Sequence, residues 1–180
     1  IPLYPPPSPW RRSWRKALEI IAPHLSAVPK RIAHNGKFDC RWQRKFGMPG
    51  LTPTFDTMIA AHCIDENRPK GLKPLARTLL GVAPWDIDTK DLLQTPLPDV
   101  LWYNGLDTWW TLKLYFLFRA QLNDPALSRQ KNMFTKLLMP AANEFITVEQ
   151  QGIWVHEETL MTNWAQAQRN LESVEAELMK

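Results

Sequence analysis

The run from Pro98 to about Leu122 restricts the possible folds more than any other part of this chain. It has the length of a long helix, and Leu101, Trp102, Leu106, Trp109, Trp110, Leu114, Phe116, Leu117 and Phe118 spread apolar side chains over nearly every face. A helix with no polar face has to be covered on two sides. Other elements must therefore be layered against it. Asp107 stands in the middle of this run. An unpaired carboxylate is costly at a buried position, so Asp107 requires a cation or hydrogen-bond donors.

The remaining pattern supplies candidates for those layers. Trp14, Ala17, Leu18, Ile21, Ala22 and Leu25 recur at helical spacing, which predicts an amphipathic helix over 10–25. The prolines of residues 1–9 exclude a helix there, and Ile1–Tyr4 reads as the end of a strand. Segments 29–34 and 51–55 read as short strands. Helices are predicted over 35–46, after Asn35 as N-cap and before Gly47, over 56–66 behind Asp56, and over 71–80, closed by Gly81. Residues 82–97 read as a loop. Pro125 opens a further helix running to about Gln151, where Gly152 breaks it, and Ile153–Val155 reads as extended. Leu160, Trp164, Ala167, Leu171, Val174 and Leu178 then form a heptad seam that wants a partner helix. A domain boundary is therefore expected near residue 125, dividing the chain into 1–124 and 125–180.

Length and composition agree with one core plus a piece of another: 180 residues, 44% hydrophobic and 22% charged. No apolar run reaches the roughly 18–20 residues of a membrane span, and no basic-then-apolar leader opens the chain. Cys40 and Cys63 form no CxxC pair, and a reducing, cytoplasmic setting is expected. The first residue is Ile1, not Met, which is expected of a fragment or processed product. Residues 1–77 carry fourteen Lys/Arg against five Asp/Glu, a balance of +9; residues 78–180 balance at −5, giving the net +4. A basic first half fits a polyanionic partner or a solvated face that happens to be basic. Most of the nine Trp are assigned to the core, with an exposed one in the basic half available to stack on a base.

Two spacings can carry chemistry. Asn35 and Asp39 in HNGKFD, and Tyr103 and Asp107 in YNGLD, each lie four residues apart, on one face of a helix. Two carboxylates brought from distant segments to one place make a site for Mg²⁺ or Mn²⁺, with Tyr103 able to orient a water beside it. The plainer readings stand alongside: Asn35 as only an N-cap, Asp39 as a solvated helix residue, Asp107 paired with an arginine. His24, His34, His62 and His156 have no metal-ligand spacing and are read as structural. No nucleophile elbow or phosphate-binding glycine loop is present.

HNGKFD (34–39), FDTMIAAHCIDENRPKGLKPLAR (55–77) and YNGLDTWWTLKLY (103–115), in this order and spacing, resemble the 3′–5′ proofreading exonuclease domain of family A DNA polymerases, most closely phage-type members. LLMPAANEFITVEQQGIWVHEETL (137–160) resembles the junction into the polymerase domain, and the heptad tail its first thumb helix. The resemblance implies an α/β, ribonuclease H-like fold, a mixed sheet flanked by helices and here lacking its first strands, followed by an all-α thumb segment. It implies two divalent metal ions (Mg²⁺ or Mn²⁺) held by four carboxylates, of which Asp39 and Asp107 match two. Tyr103 matches the tyrosine that holds the attacking water, and Asn35 matches a positional or substrate-contacting asparagine. The implied partners are a single-stranded DNA 3′ end and the rest of a polymerase chain, with no membrane, in a monomer. The family's first motif, Asp-x-Glu, does not occur in residues 1–38. Roughly 20–30 residues of two strands and their turns are therefore expected to be missing, and this chain is expected to be nearly inactive. A stand-alone exonuclease of the ribonuclease D type and a non-catalytic DNA-binding or scaffolding remnant are the alternatives.

Overall fold

Alternation of short strands and helices in the first third of the chain produces one strand–helix–strand unit against which the helix at 97–122 packs. The computed structural model describes residues 13–48, 51–87 and 94–179. The readings of 1–9 as strand and turn, the start of the first helix at Trp10, and residues 88–93 of the loop lie outside these. Helix α1 spans Trp14–Ala27 and is followed by strand β1 (Ile32–Ala33), helix α2 (Gly36–Lys45) and strand β2 (Phe55–Asp56). The two strands pair in parallel, Ile32 opposite Phe55 and Ala33 opposite Asp56. Helices α3 (Thr57–Ile64), α4 (Leu72–Leu80) and α5 (Leu97–Leu122) follow, and Gly81 closes α4 with a φ of 66°. Parallel pairing needs a helical crossover, which α2 provides. The expected strands at 29–34 and 51–55 are shortened to two residues each.

After α5, a 3₁₀ turn (Pro125–Leu127), α6 (Ser128–Met133), a π-helical stretch (Phe134–Leu138) and α7 (Met139–Gln151) form a nearly continuous helical run. The π stretch has a local cause. Pro140 has no amide hydrogen and its ring crowds the carbonyl four residues back, at Lys136. Widening the turn across that carbonyl relieves the crowding. Gly152 ends the run with a φ of 71°.

The core is the junction of α3, α4 and the C-terminal half of α5 with the 134–139 segment: Ala60, Ala61, Cys63, Leu75, Leu114, Phe118, Leu122, Phe134 and Met139 form one buried cluster. Ala60 and Ala61 let α3 lie close against α5. Helix α5 differs from expectation. Its buried residues are Leu114, Tyr115, Phe118 and Leu122, while Leu101, Trp102, Trp109 and Phe116 are exposed. All-round apolarity expresses a demand for neighbours; the described elements that pack on α5 cover only its second half. The tryptophans also depart from the core assignment, since no described Trp side chain is buried.

The chain separates into two compact units, one ending at Thr147 and one spanning Val148–Lys180. The first therefore includes α6 and the π stretch, which pack on α3. The second contains α8 (Glu157–Leu178), in which no residue is buried, and the seam residues Leu160, Trp164, Leu171, Val174 and Leu178 are exposed. Among the described residues no helix is long and apolar enough to cross a membrane.

Candidate active site

The turn from β1 into α2 carries the first half of the site. Asn35 sits at the N-cap position, but in the left-handed region (φ 59°, ψ 47°), and its side chain makes no cap bond. The expected capping role belongs instead to Asp56. Its buried carboxylate accepts the backbone N–H of Asn35 (3.1 Å) and of Gly36 (2.7 Å), and also those of Met58 (2.8 Å) and Ile59 (3.4 Å) at the start of α3. One acid thus caps its own helix, as expected of Asp56, and also pins the first turn of α2. Asparagine tolerates the left-handed conformation this requires. Gly36 is required as well, because a Cβ there would lie 2.8 Å from both Ala33 Cβ and Pro53 Cγ.

A cavity of about 740 Å³ opens where the end of β1, the first turn of α2 and the middle of α5 converge. His34, Asn35, Phe38 and Asp39 line one side and Asn104, Asp107, Thr108 and Thr111 the other, with Leu72 of α4 between them. Asn35, Asp39 and Asp107 therefore share one cavity. Tyr103 is not among its lining residues: Lys73 Nζ lies 4.8 Å from the centre of the Tyr103 ring. Lys73 in turn bonds Asp86 at 2.6 Å, as does Arg77.

The two acids differ in setting. Among the described residues Asp107 has no arginine partner. Its Oδ1 accepts the indole N–H of Trp85 at 2.8 Å, which leaves the second oxygen for another ligand. The carboxyl of Asp39 is held above the usual carboxylate range, first by loss of hydration and then by the negative charge of Asp56. Nearby, His34 bonds Thr57 Oγ1 through Nδ1 at 2.9 Å. Desolvation lowers its pKa, against the opposing charges of Asp56 and Asp107 and a bond to the Lys70 backbone. His34 and Trp85 are the site residues that spacing missed. His34 opens HNGKFD but was legible only as a lone histidine, and Trp85 lies in a segment with no periodicity.

Among the described residues no group of three or more His, Cys, Asp or Glu is arranged to hold a metal ion. The cavity offers two carboxylates with amide and hydroxyl oxygens around them. That is a hard-oxygen donor set, suited to a hydrated Mg²⁺ or Mn²⁺ and not to zinc.

The chain is a member of the 3′–5′ exonuclease family, whose model matches residues 13–123. It is similar to the DNA polymerase I of Borreliella burgdorferi, with 30% identity over 159 residues, 84% of this chain and 17% of that protein. The chain therefore spans under a fifth of that relative's length. No solved structure matches it.

Proposed function

We propose that this chain is the 3′–5′ exonuclease part of a family A DNA polymerase, and that the Asp39–Asp107 cavity hydrolyses the terminal phosphodiester at a single-stranded DNA 3′ end in proofreading. The observation that carries this reading is the cavity itself, to which α2 and α5 each contribute one carboxylate. The similarity to a DNA polymerase I is longer than the exonuclease match alone, which favours a polymerase over a stand-alone ribonuclease D-type enzyme. On this reading β1 and β2 belong to a ribonuclease H-like mixed sheet. Residues 125–180 are the junction and the first thumb helix of the polymerase domain, and the protein acts as a cytoplasmic monomer.

Asp39 and Asp107 would hold the divalent cations, which when bound supply an acidified water and stabilise the leaving 3′ oxygen. The protein's own residues do the rest. Trp85 fixes the orientation of Asp107. Asp56 fixes the turn that presents Asn35 and Asp39, and Asn35 contacts the terminal nucleotide. Tyr103, one turn before Asp107, would hydrogen-bond the attacking water. Two carboxylates hold Mg²⁺ weakly because the ion keeps most of its waters, so the 180 residues by themselves cleave poorly.

The test is Mn²⁺ binding followed by electron paramagnetic resonance. Weak binding to the wild-type chain that Asp39→Asn and Asp107→Asn each abolish is expected. Equal binding in both variants would overturn the site. Mg²⁺-dependent trimming of a single-stranded 3′ end should be barely detectable, and robust trimming abolished by Asp107→Ala would show that two acids suffice.

A further inference from the structure

Helix α2 has a second chemically distinct face. Phe38, Trp42 and Phe46 recur at every fourth position, on one side of the helix and its C-cap. All three are exposed, at 58%, 43% and 49%. Their rings form a ladder: Phe38 and Trp42 meet edge to face at 6.2 Å, and Trp42 and Phe46 stack at 5.9 Å with only 22° between planes. Lys45 Nζ lies 4.8 Å above the Trp42 ring. Lys37, Arg41, Arg44 and Lys45 supply four cations along the same helix, whose one acid, Asp39, faces the cavity. Single exposed apolar residues are ordinary. Three ordered rings between cations are the composition of a surface for single-stranded nucleic acid, in which aromatic faces take bases and basic side chains take phosphates.

We infer that this face of α2 is a stacking platform for the single strand upstream of its 3′ end, centred on Trp42 and Phe46 with Arg41 and Lys45 on the backbone. The inference rests on the reading of the cavity as a 3′-end site. Phe38 is the link, since it lines the cavity and also begins the ladder. The ladder extends roughly 12 Å from Phe38 to Phe46, which allows about one base per ring. The terminal nucleotide therefore occupies the cavity while the preceding ones lie along α2. Lys45 over the Trp42 ring and the exposed Arg41 beside it favour a polyanion over an uncharged protein helix; Arg44 is bonded to Thr147 and Lys37 lines a different cavity.

The experiment is fluorescence anisotropy of the full 180-residue chain with a labelled oligothymidylate of about twelve nucleotides, in EDTA so that no cleavage occurs. Trp42→Ala and Phe46→Ala should each raise Kd about 5- to 150-fold, the range for loss of one base–aromatic stack. Trp42→Phe should stay within about 3-fold of wild type, which separates stacking from misfolding. Arg41→Ala should reduce the slope of log Kd against log salt by about 0.7, while Trp42→Ala leaves that slope unchanged. Phe46→Leu keeps the apolar area without the aromatic face, and should weaken binding as Phe46→Ala does. Wild-type affinity in Phe46→Leu would overturn the platform and leave a general apolar contact for a protein. Unchanged affinity in the alanine variants, or no binding by the wild-type chain, would also overturn it. The Mn²⁺ titration of Asp39→Asn and Asp107→Asn judges the cavity separately, so either reading can fail without the other.

Discussion

Replacing Asp56 by asparagine should be among the most damaging single-atom changes available in this chain. The carboxylate is 2% exposed and accepts four backbone amides. Asparagine keeps the shape but turns one acceptor into a donor. Its oxygen would take the Oδ1 position, which serves Asn35, Met58 and Ile59. Its NH₂ would then face the Gly36 amide, formerly bonded at 2.7 Å. Losing one charge-assisted bond costs about 1.5–3 kcal/mol, and the stranded buried N–H adds about 1–3. The three surviving bonds lose their ionic character and about half their strength. The first two losses alone sum to roughly 3–6 kcal/mol, a large part of the 5–15 kcal/mol typical of a domain. Urea unfolding followed by circular dichroism should show a midpoint lowered by about 1–6 M, according to an m-value near 1–3 kcal/mol/M. Asp65→Asn, at a half-buried acid that bonds the Asn67 amide and pairs with Arg68 at 3.4 Å, should stay within about 1 kcal/mol. A loss below about 1 kcal/mol for Asp56→Asn would refute the claim that this carboxylate holds the two helix starts together.

Gly36→Ala should cost about 1–3 kcal/mol by overpacking against Ala33 and Pro53, read as a lower melting temperature. The pKa of His34 is lowered by burial, so the unfolded chain binds the proton better. Stability should be full above the unfolded value of about 6.5 and fall as pH drops below it; His34→Gln should flatten that part of a stability–pH curve. The raised carboxyl of Asp39 acts in the opposite sense. The folded state holds that proton more tightly, so stability falls as pH rises above about 4, and Asp39→Asn should be the more stable protein at neutral pH and lose its advantage below it. Amide hydrogen exchange should be fast along α8, which has no buried residue, and slowest around Leu114–Leu122 in the core.

Local chemistry made much of this protein legible from its sequence. Periodicity and the glycines at 47, 81 and 152 located the helices to within a few residues, because capping and backbone freedom are properties of short segments. The i, i+4 spacing put Asn35 on the same helical face as Asp39, and Tyr103 on that of Asp107. Burial was not legible. The apolar run at 97–122 states a preference, and only the arrangement of α3, α4 and the 125–139 segment decides that its second half is covered. Nor was the partner of Asp107 legible, since Trp85 reaches it from a segment without pattern. The double duty of Asp56 is the sharpest case. The sequence by itself identified a helix cap after Phe55. Only the parallel pairing of β1 with β2 brings the amides of Asn35 and Gly36, twenty residues away, within reach of that carboxylate, because hydrogen bonds depend on distances in space that the order of residues does not contain.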